Sequence, residues 1–155
     1  MPVGSRLSLL FELFATEQRV RTLVLAAMAD SELRPDEYAV YSVLFDDGPQ
    51  TPTDLARRAG MPPTTMSHYV RALLDRGHAI CQAVPGDRRS YKIGLTASGL
   101  RAHANAGRAF AEADRRFSEA ISIDEETART VLAAIGDAAT SAEARLRAES
   151  IDATA

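Results

Sequence analysis

Proline and glycine divide the middle of the chain into two short helical segments joined by a very short turn. Thr51 is a candidate N-cap before Pro52, and Gly60 closes the first segment after about two turns. Pro63 can open the second segment and Gly77 can end it. A short helix, a tight turn and a longer helix, in this order, predict a helix-turn-helix.

A β-hairpin is predicted immediately after the second helical segment. Residues 78–84, HAICQAV, are rich in apolar side chains, and residues 91–95, YKIGL, alternate in the manner of a strand. Between them PGDRRS contains a turn signal, so the tip is expected near residues 86–89. A helix-turn-helix followed at once by a hairpin is the element order of a winged helix.

Apolar stripes also run along the helices predicted outside this central part. Apolar residues recur at helical steps from Leu7 to Met28. In the last helix the stripe expected to be buried consists of Val131, Ile135, Ala138, Ala142 and Leu146. One winged helix cannot cover both stripes, and an apolar helix face needs a partner. We therefore expect these helices to bury each other across a two-fold homodimer.

The predicted fold class is mainly α with a small β-hairpin wing. A length of 155 residues favours one domain over residues 1–155. Within it, residues 33–95 are expected to form the winged helix-turn-helix. Residues 1–32 and 96–155 are expected to form the N- and C-terminal dimerisation helices.

Charge is distributed unevenly along the chain. The net charge of the whole sequence is −3. Residues 51–92 contain seven Arg and Lys against three Asp, a local net charge of +4, which leaves −7 for the remainder. A basic segment between acidic flanks is the electrostatic pattern expected of a surface that binds a polyanion.

Composition and motifs argue against several other classes of protein. Cys81 is the only cysteine, which excludes an intramolecular disulfide and a multi-cysteine zinc site. The sequence has no run of 18 apolar residues, and it shows no nucleophile–base signature, metal-ligand cluster or Gly-rich phosphate loop. We therefore expect a cytoplasmic protein that is not an enzyme and has no cofactor, metal or membrane span.

The second helical segment has one apolar and one polar face on a helical wheel. Met66, Val70, Leu73 and Leu74 fall on the apolar face. Hydroxyl, imidazole and guanidinium groups on the other side can reach base edges or phosphates in a major groove. The candidate DNA-contacting residues are Pro63, Thr64, Thr65, Ser67, His68 and Arg71. The alternative is an ordinary amphipathic helix, with Arg71 in an exposed pair with Asp75.

The hairpin tip carries more charge than a turn requires. Adjacent Arg88 and Arg89 repel each other, and a narrow, negative minor groove is a favoured site for inserted arginine. Asp87 can orient a neighbouring guanidinium, and Lys92 is placed for a phosphate contact. The alternative is a solvated turn in which Asp87 only favours the turn.

Residues 51–99 resemble the core of the multiple-antibiotic-resistance regulator (MarR) family of winged-helix transcription factors. The matching features are Leu55-Ala56, the helix TMSHYV..LL..G, the wing DRRS, and LTASG at the start of the next helix. The resemblance implies that residues 63–76 read the major groove. It also implies that Asp87 positions arginine and that Arg89 enters the minor groove. One departure is Gln82, near the position where the family often has a basic residue.

The resemblance further implies a homodimer on a pseudo-palindromic operator, usually a repressor that a small aromatic or phenolic ligand releases. The implied effector pocket includes Phe14, Tyr38 and Tyr41, although tyrosines of this kind are more often core residues than ligand-binding ones. Some relatives sense oxidants through cysteine. For Cys81 a small buried side chain is the expected role instead.

A second functional class stays open at this point. A winged-helix adaptor that binds proteins and not DNA is compatible with the acidic flanks. It predicts no salt-sensitive DNA binding, and the two adjacent arginines of the wing count against it.

Overall fold

The computed structural model describes residues 8–84 and 86–152, with the backbone alone at residues 87–89, 151 and 152. The helices are α1 (Leu9–Ala27), α2 (Pro35–Asp46), α3 (Pro52–Arg58), α4 (Pro63–Asp75), α5 (Ala97–Ala120) and α6 (Glu125–Asp152). The strands β1 (Ala79–Val84) and β2 (Asp87–Leu95) lie between α4 and α5 and pair antiparallel. This order confirms the predicted fold class, mainly α with a small hairpin.

The helix-turn-helix begins and ends at the predicted residues. The Thr51 hydroxyl accepts the backbone N–H of Asp54 at 3.2 Å and caps α3. Gly60 and Gly77 follow α3 and α4 with φ of 65° and 67°, a backbone conformation that glycine adopts without steric cost. Helix α4 ends at Asp75, with Arg76 as its C-cap. The local signals in the sequence therefore decide where both helices stop.

The core of the winged helix lies between α2, α3, α4 and the base of the hairpin. Its largest fully buried side chains are Leu33, Val40, Tyr41, Leu55, Met66, Leu73 and Ile93. Gln50, just before α3, exchanges two backbone hydrogen bonds with Ile93 of β2, at 3.0 and 2.7 Å. The hairpin is thus attached to the helix-turn-helix at its base.

The start of α5 is fixed to the end of α4 by the residues of the LTASG motif. Thr96 Oγ1 and Ser98 Oγ both donate to the carbonyl oxygen of Gly77, at 2.7 and 2.9 Å. A Cβ at Gly99 would lie 2.1 Å from the carbonyl oxygen of His78, so only glycine allows this approach. The motif therefore sets the direction in which α5 leaves the hairpin.

The chain divides into two compact units, Met1–Arg116 and Phe117–Ala155. The first contains the winged helix, and α6 lies in the second. The stripe of α6 that was expected to be buried is largely exposed in the single chain, with Val131 50% and Leu146 65% exposed. Burial of this stripe against a second copy, and the grouping of the terminal helices into a dimerisation part, stay predictions.

Among the described residues no helix is long and apolar enough to cross a membrane.

Candidate nucleic-acid interface

The faces of α4 are arranged as the helical wheel predicts. Met66, Val70 and Leu73 are buried, and Leu74 is half-buried. On the other side the exposed candidates are Pro63, Thr64, Ser67, His68 and Arg71, while Thr65 is half-buried. The predicted division into a core face and an exposed polar face is confirmed, and contact of these residues with DNA stays a prediction.

The N-terminal end of α4 is open on its polar side. Pro62 is the N-cap, Pro63 is at the first helical position, and no side chain caps this end. The positive end of the helix dipole is therefore available to a phosphate. The Ser67 hydroxyl donates to the carbonyl oxygen of Pro63 at 2.9 Å and keeps its acceptor capacity.

Three arginines near this surface are engaged to different degrees. On α3, Arg57 forms an ion pair with Asp54 at 2.5 Å. The next residue, Arg58, forms an ion pair with Asp47 at 2.8 Å. The suggested pair between Arg71 and Asp75 is not among the ion pairs of residues 8–84 and 86–152. Arg71 is therefore the exposed arginine of α4 whose guanidinium is available for a base edge or a phosphate.

The hairpin has a shorter turn than the sequence suggests. Val84 pairs with Asp87, which leaves residues 85 and 86 as the connection, and Gly86 has φ of 84°. Ala83 pairs with Tyr91, whereas the next residue, Val84, pairs with Asp87. The strand register therefore shifts between Ala83 and Val84. Arg88 and Arg89 thus belong to the irregular first part of β2, beside the tip. Such bulges re-aim side chains at the ends of hairpins.

In β2 the side chains are described from residue 90 onward. The predicted orientation of an arginine by Asp87, and the directions of Arg88 and Arg89, lie outside the described side chains. Lys92 is exposed and pairs across the ladder with Gln82. It is placed nearer the body of the protein than the arginines, as expected for a phosphate contact.

Cys81 is an exposed residue of β1, and its expected burial is wrong. The hairpin extends away from the core, so only the first residue of β1, Ala79, is buried. The sequence of β1 is apolar enough for a buried strand, but a two-stranded sheet offers no second layer to cover it.

Residues 37–77 match the family described as winged helix-turn-helix DNA-binding. The fold is similar to that of a MarR-family transcriptional regulator from Rhodococcus sp. RHA1, at 24% identity and a TM-score of 0.69, over 81% of this chain and 90% of that one. The chain has the MarR-family fold. The resemblance predicted from the sequence is thereby confirmed, and the match over α2, α3 and α4 identifies a DNA-binding type of helix-turn-helix.

The fold is also similar to that of two further solved structures. One is the M. tuberculosis transcriptional regulator MOSR in complex with DNA, at 20% identity and a TM-score of 0.75, over 88% of this chain and 98% of that one. The other is Bordetella bronchiseptica BpsR, whose DNA binding is regulated by 6-hydroxynicotinic acid. Its identity is 20% and its TM-score 0.67, and the match covers 79% of this chain and 92% of that one. By sequence alone, no curated protein matches the chain at a significant level.

The candidate effector residues have different surroundings in this MarR-family fold. Phe14 is 61% exposed on α1. Tyr41 is fully buried, and its hydroxyl shares a 2.8 Å hydrogen bond with Nδ1 of His78. Tyr38 is half-buried and stacks on His103 of α5, with ring centroids 5.0 Å apart. Of the two tyrosines, only Tyr38 has surface to offer a ligand.

Tyr38 belongs to an aromatic cluster that sequence reasoning missed. His103 also stacks on Phe45 at 4.6 Å, and its Nε2 lies 3.1 Å from the Ser42 hydroxyl. Phe110 also packs against Tyr38, with ring centroids 5.0 Å apart. Burial lowers the pKa of His103, and the nearby carboxylate of Asp46 opposes this shift. The signal available in the sequence was the helical spacing of the cluster residues on α2 and on α5. This spacing does not show that the two helices meet.

Proposed function

We propose that the protein is a sequence-specific DNA-binding transcriptional regulator. In this proposal α4 enters the major groove of an operator and the β1–β2 wing enters the adjacent minor groove. The observation that carries it is the exposed, uncapped polar start of α4 opposite a fully buried apolar face, directly followed by a hairpin with two arginines beside its tip. The DNA complex of MOSR supports the same use of the fold.

The proposal includes a homodimer that acts as a repressor on a pseudo-palindromic operator in the cytoplasm. Helix α1 exposes a run of large apolar side chains, Leu9, Leu10, Phe11 and Phe14, and α6 exposes Val131, Leu132 and Leu146. Apolar helix faces of this kind are typical of subunit interfaces. A two-fold dimer would cover them and present two α4 helices to the two halves of one operator.

The proposal also includes a small aromatic or phenolic effector that binds beside Tyr38 and His103. Their stacked rings offer a flat apolar surface, and the Ser42 hydroxyl and the imidazole provide polar groups beside it. Regulation of BpsR by 6-hydroxynicotinic acid supports this ligand class. Phe14 is the candidate ligand-contacting residue from α1. Tyr41 is fully buried, so it would support the site from the core without touching the ligand.

Selection of bound genomic fragments, followed by titration of the selected duplex at several salt concentrations, tests the DNA-binding proposal. We expect operator affinity to fall steeply with salt because neutralised phosphates release counterions. No selected sequence, and no salt-sensitive binding, would favour the winged-helix adaptor. A partner protein should then be recovered with the wild-type chain.

A further inference from the structure

We propose that Glu37 and Arg76 are positioning residues for sequence recognition: their ion pair fixes the C-terminal end of α4 on the first turn of α2. The proposal rests on the proposed role of α4 as the helix that reads DNA. It concerns the opposite end of α4 from its predicted DNA-contacting start.

Both oxygens of the Glu37 carboxylate are engaged. Arg76 Nη2 lies 2.8 Å from Glu37 Oε1, and Glu37 Oε2 accepts the backbone N–H of Arg34 at 3.0 Å. Glu37 is the buried charged residue of the described chain, at 8% exposure. A buried carboxylate must be paired and hydrogen-bonded, so the backbone of Arg34 holds the carboxylate in place and the Arg76 guanidinium pairs with its other oxygen.

A second contact one helical turn along α2 extends the same attachment. Tyr41 is four residues after Glu37, on the same face of the helix. Its hydroxyl is 2.8 Å from Nδ1 of His78, at the entry to β1. Burial raises the pKa of Tyr41, while the nearby Arg76 guanidinium acts to lower it. Helix α2 therefore holds the end of α4 and the start of the wing together.

The first turn of α2 is also the attachment point of α1. Arg21 of α1 makes a two-pronged pair with Asp36, at 3.1 and 2.8 Å. Burial raises the pKa of Tyr69 on α4, and the charge of Asp36 and a hydrogen bond to it act in the same direction. The first turn of α2 thus contacts α1 through Asp36 and the end of α4 through Glu37.

The physical reason for a positioning role is the directionality of these contacts. The apolar face of α4 is stabilised by burial, which is non-directional and tolerates small rotations of the helix. The ion pair fixes the rotation and tilt of α4, and base readout requires side chains at defined positions in the groove. Removal of one partner from a buried ion pair also destabilises the fold, so recognition must be measured on folded variants and apart from stability.

Glu37→Gln and Arg76→Gln in the full chain, singly and together, test this role. Glutamine at residue 37 offers one acceptor oxygen to two donors, so it breaks at least one contact. We expect each single variant to lose about 10-fold in operator affinity and less than about 2-fold for a scrambled duplex. The double variant should lose no more than either single variant, because both substitutions remove the same pair.

The controls separate positioning from stability. Glu112→Gln makes the same chemical change at an exposed carboxylate of α5 and should leave operator affinity unchanged. Met28→Ala truncates a buried side chain outside the helix-turn-helix, and should lower the unfolding temperature without a change in operator preference below it. If Glu37→Gln does not fold, Arg76→Lys keeps the charge and loses the planar fork, and should still lose operator preference.

The outcomes also separate this inference from the proposed function. Wild-type protein that prefers no duplex would overturn both. Wild-type protein that binds its operator, with folded Glu37→Gln and Arg76→Lys variants that bind equally well, would overturn the positioning role alone. Equal losses for operator and scrambled duplex would also overturn it, since a positioning role predicts a loss of preference.

Discussion

Helix α4 and the β1–β2 hairpin, the two proposed DNA-contacting elements, are held by the protein in different ways. Met66, Val70 and Leu73 bury the apolar face of α4, and Arg76 at its end pairs with Glu37. The hairpin is buried only at its base, around Ala79 and Ile93. An element held along its length can place side chains against base edges, whereas an arm held at its base suits a groove that is read by shape and charge.

The largest difference is expected in stability. Leu73→Ala removes a fully buried side chain of α4 and should lower the free energy of unfolding by about 2–5 kcal/mol. Ile80→Ala on the exposed part of β1 should change it by less than about 0.5 kcal/mol. Chemical denaturation of both variants measures these values. A large loss for Ile80→Ala would show that the hairpin is packed along its length, against this description.

The wing should dominate affinity. Arg89→Ala is expected to weaken binding to operator and scrambled duplexes alike, by about 100-fold, because it removes a cation from a narrow, negative groove. Titration of both duplexes measures the loss, and the unfolding temperature should not change. Arg58→Ala is the matched control, since Arg58 is already paired with Asp47. Binding by Arg89→Ala that equals the wild type would show that the wing assignment is wrong.

Helix α4 should dominate sequence preference. Arg71→Ala is expected to lose about 10-fold in operator affinity and much less on a scrambled duplex if it reads a base. The same titrations on Arg101→Ala, an exposed arginine of α5, provide the control. An equal loss on both duplexes would assign Arg71 to a phosphate and reduce the contrast between the helix and the wing.

The smallest effect is expected from the aromatic cluster around His103, which lies between α5 and α2. Burial keeps the folded-state pKa of His103 below its unfolded value of about 6.5. Its contribution to stability is therefore complete above that value and is lost as pH falls through the folded pKa. The wild-type unfolding temperature should decrease more between pH 7.5 and 5.5 than that of His103→Gln. An equal decrease would exclude His103 as the titrating group.

The parts of the fold that sequence reasoning predicted depend on local signals. Thr51, Gly60 and Gly77 set the helix ends within a few residues of themselves, and the wheel of α4 separates its faces without knowledge of any partner. The LTASG motif is a different case, because Gly99 approaches the backbone of His78, 21 residues earlier in the chain, and the motif was identified from the family resemblance. Short-range backbone geometry is therefore readable from one sequence.

The parts that were missed depend on which elements meet. The pair between Glu37 and Arg76 joins residues that are 39 positions apart, and His103 reaches Tyr38 from a helix beyond the hairpin. Periodicity shows that a helix has a buried face but not what covers it. The predicted burial of Cys81 is wrong for a related reason: a small apolar side chain favours burial, but the residue type does not show whether another element covers the strand, and the outer part of β1 is exposed in the described chain.

The most direct test of the central claim is selection of bound sequences from genomic fragments with the wild-type chain and with Arg71→Ala. The proposed function predicts that the wild-type protein enriches a pseudo-palindrome with half-sites about 10 base pairs apart, or a multiple of that spacing. The variant should lose preference at one position of each half-site. Enrichment of no sequence by the wild-type protein, or an unchanged preference in the variant, would contradict the assignment of α4 as the helix that reads DNA.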